Sequence, residues 1–229
     1  RDKARICFFR AIRLDGRNAS AYYHLGLLYR DYYDYKELAR EQFDIFVRLE
    51  TKAGALAGKR VQNVRRNILP ELHEALNAAL ASRAGMAGRD ADACAAALQK
   101  AAAAWKRGHF KTAKLRYADA LKADPLSYPA ALGLARTWAK VDLRKAGQAE
   151  SYTYYRRACE LNASAFKTFL EAGEMALKTG HYSAAVEIYS RALAIRPADK
   201  SAADGLIRAA RKAGQAKVAA VYQGYRNYL

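Results

Sequence analysis

The residues of this chain whose chemistry could reach beyond packing are few: four histidines, three cysteines and some closely spaced carboxylates. Glu171 and Glu174 stand three apart, the spacing that puts two carboxylates on one face of a helix. Such a pair can share a metal ion or divide acid and base duties. It is equally the composition of a solvated helix face, and nothing else in the chain supports the sharper reading. No HExxH, GxSxG, phosphate-cradling glycine loop or Asp-rich metal loop occurs. His24, His73, His109 and His181 are isolated from one another, and His109 and His181 occupy the same place in two copies of a repeated phrase. Cys7, Cys94 and Cys159 are far apart, odd in number and outside any CxxC pair. They read as free thiols packed as small hydrophobes, which favours an intracellular, reducing compartment such as the cytoplasm. The residues therefore point away from an enzyme and call for no cofactor and no metal.

Charge points towards binding. The net charge is +18, and it is unevenly spread. Residues 1–92 hold 17 Lys and Arg against 12 Asp and Glu, a net of +5, whereas residues 93–229 hold 23 against 10, a net of +13. A basic surface of this size attracts acidic protein, nucleic acid or anionic membrane. Insertion into a membrane is not expected, because no apolar run approaches the about 18 residues of a span. The pairs Lys59-Arg60 and Arg65-Arg66 form a second basic cluster in a stretch with its own character.

The elements that must carry these residues are helices. Ala is abundant, Pro is rare, and no segment alternates apolar and polar residues as a strand would. One phrase is written twice: Gly108-His109-Phe110-Lys111-Thr112-Ala113, then Ala120 and Asp124-Pro125, returns as Gly180-His181-Tyr182-Ser183-Ala184-Ala185, then Ala192 and Arg196-Pro197. Matched positions are 72 apart, and Ala158, 38 after Ala120 and 34 before Ala192, marks a unit between them. A repeat of this length is one supersecondary unit that buries its apolar face only by stacking on its neighbours.

Tyr22, Leu25, Gly26, Tyr29, Ala39 and Phe43 near the start, and Phe169, Gly173, Ala176, Gly180, Tyr182, Ala185, Tyr189, Ala192 and Pro197 near the end, resemble the tetratricopeptide repeat. Its pattern sets Trp, Leu, Gly and Tyr on a first helix and Ala, Phe and Ala on a second. Gly26 would let the helices of a hairpin approach closely, with Ala39 at the crossing and aromatics filling the wedge. The resemblance covers roughly 1–50 and 93–229. It departs from the family at one extra residue in the turn around Asp31–Asp34, at Phe46 in place of a small residue, and at a turn over Asp142–Gln148 about four residues too long. Residues 4–14 match the second helix of a preceding unit, so a longer array is expected. Residues 51–92 break the pattern. Pro70 is placed to open a helix with the stripe Leu72, Leu76 and Leu80, and Gly85, Gly88 and Asp90 mark a loop; the segment reads as an atypical basic hairpin or linker.

The expected fold is thus an all-α, right-handed α-solenoid of stacked antiparallel helix pairs. Its parts are N-terminal repeats over 1–50, the inserted segment over 51–92 and C-terminal repeats over 93–229. The resemblance implies that first helices line a concave, partner-binding surface. On this chain that surface comprises Tyr23 and Leu27; Arg136 and Lys140; Lys167, Leu170, Glu171, Glu174 and Lys178; and Arg208, Arg211 and Lys212. It would be mainly basic with one acidic patch. The family's carboxylate clamp needs Lys and Asn where this chain has Tyr23, Leu27 and His24, or Leu170, Glu174 and Glu171, so an acidic chaperone tail is not the expected ligand. A scaffold that binds an acidic or extended protein segment, within a larger complex, is the first expectation. A nucleoprotein subunit that contacts RNA or DNA phosphates, with Lys59, Arg60, Arg65 and Arg66 as a further basic patch, is the second.

Overall fold

The computed structural model describes residues 1–53, 58–84 and 89–229, with nothing said of the side chains of Leu80, Arg83 and Ala84. Among the described residues all regular structure is helical. The chain divides into two compact units, Arg1–Gly85 and Met86–Leu229.

In the first unit α1 (Asp2–Leu14) packs on α2 (Ala19–Leu28), and α2 pairs with α3 (Lys36–Lys52). Asn18 caps α2 by accepting from the Ala21 amide at 3.0 Å. Gly26 and Ala39 do what the pattern asks: a methyl on Gly26 would stand 2.9 Å from the Phe43 ring, and Ala39 is wholly buried. The extra residue of the turn is absorbed as a π-helical turn, Tyr29–Tyr33, that prolongs α2. Asp34 closes it in the left-handed region at φ 52°, where Asp is among the few residues tolerated. The turn is anchored to α1. Tyr33 donates to Asp2 at 2.9 Å, and the fully buried Arg5 lies over the Tyr33 ring at 4.6 Å while bonding Asp2.

Where a hairpin or linker was expected within 51–92, the described residues 59–84 form one helical run. It consists of α4 (Lys59–Asn63), a π-turn at Val64–Ile68, and α5 (Leu69–Ala84), which packs on α3. Pro70 does not start a helix. It follows the π-turn, whose wider coil falls where Pro70 has no N–H to give the Arg66 carbonyl. Val61, Val64, Ile68 and Leu72 are the buried stripe and Leu76 is half-buried. Gly85 and Gly88 lie outside the described residues.

The second unit is four helix pairs in sequence, a helical-repeat solenoid: α6 (Ala91–Lys106) with α7 (Phe110–Ala123), α8 (Tyr128–Val141) with α9 (Lys145–Leu161), α10 (Phe166–Lys178) with α11 (Tyr182–Ile195), and α12 (Lys200–Lys212) with α13 (Ala216–Tyr228). Each second helix also packs on the next first helix. Ala113 and Ala185, and Ala120, Ala158 and Ala192, all have no exposed surface, so the positions that defined the repeat are the helix contacts. Three of the four first helices begin at side-chain caps: Asp90, Ser127 and Asp199 accept from the Ala93, Ala130 and Ala202 amides. Gly108, Gly180 and Gly214 take φ of 75°, 82° and 72° between the helices of a pair, a conformation that favours glycine.

The Asp142–Gln148 turn is shorter than expected, because α9 already begins at Lys145. Asp142 accepts from the Arg144 amide at 3.0 Å and pairs with its guanidinium. Gly147 permits the tight return, since a Cβ there would stand 2.3 Å from Asp142. The added residues lengthen α9 instead of the loop.

Candidate functional site

The expected partner-binding residues fall in both units. In the first, Tyr23 and Leu27 project from α2 and are half-buried. Tyr23 packs against Phe46 at 5.1 Å and Phe43 at 6.0 Å, and Arg60 lies over its ring at 5.3 Å. Two residues assigned to separate features, a concave face and a basic patch, thus meet in one cation–π contact. Lys59, Arg60, Arg65 and Arg66 are all exposed. Their spacing spreads them around the helix, with only Lys59 and Arg66, seven apart, on one side.

In the second unit α8, α10 and α12 carry the remaining ten. Position nine of each helix is Arg136, Glu174 and Arg208 in turn, so the sign alternates from pair to pair. Arg136 grips Glu171 through two hydrogen bonds, Nε to Oε2 at 2.8 Å and Nη2 to Oε1 at 2.6 Å. Tyr155 of α9 donates to the same carboxylate at 2.9 Å. Glu174 accepts from Tyr189 of α11 at 2.8 Å and pairs with Arg208. Burial, then the adjoining carboxylate, pushes both tyrosine hydroxyls above their ordinary range, so each stays a donor at neutral pH. The bond to Glu171 holds the Arg136 guanidinium above its usual value.

Glu171 and Glu174 are thus counter-ions to two arginines of the expected face. Both oxygens of Glu171 and one oxygen of Glu174 are taken up by Arg and Tyr. No group of three or more metal-ligating side chains occurs among the described residues. Lys140, Lys167, Lys178 and Lys212 remain exposed. Arg211 donates to Gln223 of α13 at 3.1 Å, and Lys212 lies 5.4 Å from the Tyr182 ring centre.

Two hollows open on this face. One of about 380 Å³ is lined by Leu170, Met175, Tyr155, Tyr189, Lys178 and Ser201, together with Ala139, Glu171 and Glu174. The other, about 460 Å³, is lined by Leu177, Lys178, Arg208, Arg211 and Lys212 beside Glu174.

Tyr155 and Tyr189 were missed as site residues, although the signal was present. Tyr117, Tyr155 and Tyr189 stand 38 and 34 apart, in the register of the repeat. Tyr117 and Tyr189 fill the spaces left by Gly133, Gly173 and Gly205. The ion pairs carried a signal too, because Arg136 and Glu171 are 35 apart and Glu174 and Arg208 are 34 apart.

Among the remaining reactive groups, His181 and the buried thiols are held by packing. His181 stacks on Tyr152 at 4.5 Å and its Nδ1 meets the Thr179 hydroxyl at 2.9 Å. Cys94 and Cys159 are wholly or partly buried, as expected, whereas Cys7 is exposed and not packed. Burial pushes the Cys159 thiol up to about 12.

No protein-family model matches the chain, and no curated protein matches it either. Among solved structures, a crystal form of MamA superposes with a TM-score of 0.53 at 16% identity, over 94% of this chain and 93% of that one. YrrB, described as a TPR protein with an unusual peptide-binding site, gives 0.46 at 16% identity, over 96% and 90%. The first TPR of Spaghetti (RPAP3), bound to an HSP90 peptide, gives 0.48 at 19% identity, over 56% of this chain and 99% of that one. The likeness is one of fold. It agrees with the buried repeat alanines and the close-approach glycines, and no helix of the described residues is long and apolar enough to cross a membrane.

Proposed function

Starting from a chain with the tetratricopeptide fold, we propose that it is a non-enzymatic scaffold that binds an acidic, extended protein segment along the first-helix face of α8, α10 and α12. One observation carries the reading. The arginines at the middle of that face are matched by Glu171 and Glu174, while Lys140, Lys167 and Lys178 have no ion-pair partner among the described residues. Of these lysines Lys178 borders both hollows, and Arg211 and Lys212, also without an ion pair, border the second. Exposed cations of this kind add little affinity singly, but their summed field steers an acidic partner and raises its association rate. The pairing of Glu171 and Glu174 supports this reading further, because it leaves few acids on the face to repel such a partner.

The test is equilibrium binding of labelled acidic, neutral and basic 12-residue peptide pools to the full chain, by fluorescence anisotropy. The acidic pool binds, and Lys167→Glu with Lys178→Glu abolishes that binding while the helical circular dichroism is retained. Equal binding of acidic and basic pools, or indifference to the double substitution, overturns the reading.

The second reading, a nucleoprotein subunit contacting phosphates, draws on the +13 net charge of residues 93–229. It makes the opposite prediction: a gel shift with random RNA at micromolar protein and moderate salt, and loss of the captured partner on nuclease treatment.

A further inference from the structure

The second unit has two edges. Consecutive helices alternate in direction, so the turns inside the helix pairs lie on one edge and the turns between pairs lie on the other. Contacts thread the first edge from turn to turn. Lys114, at the start of α7, lies 3.9 Å from the Trp138 ring centre near the end of α8. His181, just before α11, stacks on Tyr152, two turns into α9. Lys212, the last residue of α12, reaches the Tyr182 ring that opens α11.

Charge is divided unequally between the edges. Take the last four residues of each first helix, the turn, and the first five residues of the second helix. This edge then holds eleven Lys and Arg against one acid. The α6–α7 turn brings Lys106, Arg107, Lys111 and Lys114. The α8–α9 turn brings Lys140, Arg144 and Lys145 with Asp142, which is paired with Arg144. Lys178 comes from the third turn, and Arg211, Lys212 and Lys217 from the fourth. The other edge, taken the same way from Arg89 to Leu229, holds six cations and six acids. Widening every window by one residue adds Glu150, Glu174, Glu187 and Arg208 to the first edge, giving twelve against four, and makes the other eight and eight.

Helix dipoles account for part of this. Lys106, Lys140, Lys178, Arg211 and Lys212 close first helices, where cations are favoured. The second helices begin on the same edge, and a helix start favours an acid. None of α7, α9, α11 and α13 has an acid in its first turn or a side-chain cap. Lys111, Lys145 and Lys217 stand in three of those first turns, where the dipole opposes them. Charges placed against local stability point to a partner outside the chain.

Apolar groups accompany the cations. Leu143, in the α8–α9 turn, is 76% exposed, and Leu115, beside Lys114, is 62% exposed. Both tryptophans of the chain stand here, Trp105 against Phe110 at 4.9 Å and Trp138 under Lys114. We infer that this edge docks on an anionic lipid bilayer, with its cations over the acidic headgroups and Leu143 entering the boundary beneath them. The contact is peripheral, since no helix of the described residues is long and apolar enough to cross a membrane. Nucleic acid fits less well. It offers no apolar layer to Leu143, and single strands need free aromatic platforms, whereas both tryptophan rings are engaged. The inference goes beyond the groove reading, because it rests on the turns and on the starts of the second helices.

The test is sedimentation of the full chain with vesicles of phosphatidylcholine, alone or with about 30% phosphatidylserine, at 0.1 M salt. The anionic vesicles are expected to bind it and shift its tryptophan emission to the blue; the neutral ones are not. Lys111→Glu with Lys145→Glu is expected to weaken binding at least about tenfold. Melting curves of that variant are expected to hold or rise, since acids replace cations at two helix starts. Lys122→Glu with Lys200→Glu, the same charge change on the other edge, leaves binding within about threefold. Leu143→Ser is expected to weaken binding and reduce the emission shift. No binding to anionic vesicles, or equal binding to neutral ones, overturns the inference. Equal loss from the two lysine pairs overturns the edge, because net charge alone would then suffice. Binding and emission indifferent to Leu143→Ser overturn the apolar contact. A random single-stranded RNA bound at lower phosphate concentration than the anionic vesicles overturns the choice of partner. None of these outcomes touches the groove reading, which uses none of the four substituted lysines.

Discussion

Single residues in this chain are defined by what surrounds them, and the cysteines show it plainly. Burial pushes the Cys159 thiol up to about 12, so its thiolate is scarce at pH 8, while Cys7 is exposed. The thiolate is the reactive form. Native protein treated with iodoacetamide at pH 8 is therefore expected to be modified at Cys7 and spared at Cys94 and Cys159, as read by mass spectrometry; equal labelling of Cys7 and Cys159 contradicts the burial. The sign for stability follows. A thiol whose pKa is higher folded than unfolded contributes stability that is fully present below the ordinary thiol pKa of about 8.5 and is lost as pH rises towards the folded value. At this scale the sequence misled in one respect: Glu171 and Glu174 read as a solvated acidic patch, yet each is the counter-ion of an arginine about one repeat away. Pairing across stacked units is invisible to a search confined to one helix. It becomes visible once charges are compared at the repeat spacing.

Helix pairs were the most legible level, because small residues at fixed intervals have one physical use here. Gly26, Ala39, Ala113, Ala185 and Ala192 mark helix contacts in the sequence and are those contacts in the structure. The connections were less legible. An added residue can lengthen a loop or enter the helix, and both π-turns and the early start of α9 take the second course. Pro70 looked like a helix start because Pro favours the first turn, but a π-turn ahead of it removes the conflict in mid-helix. The close approach can be measured directly. A methyl at Gly173 would stand 2.6 Å from the Tyr189 ring, so Gly173→Ala is expected to cost about 1–3 kcal/mol by overpacking. Gly224 lies within α13 with nothing within 4 Å of an added Cβ, so Gly224→Ala is expected to gain up to about 1 kcal/mol in helix propensity. Opposite shifts in urea midpoint support the account; a neutral Gly173→Ala contradicts it.

At the scale of the whole molecule the charge balance decides the function proposed. Counting residues gave an excess of cations without their arrangement. The structure sorts part of them: Arg136 and Arg208 on the first-helix face pair with Glu171 and Glu174, while Arg211 and the exposed lysines have no ion pair among the described residues. A complex held by those cations must be salt-sensitive, because the screening length falls from about 10 Å at 0.1 M to about 3 Å at 1 M. The most direct measurement is the affinity of the full chain for an acidic 12-residue peptide pool across that salt range. The account predicts a fall of at least about tenfold, dominated by slower association. An affinity unchanged between low and high salt would contradict it.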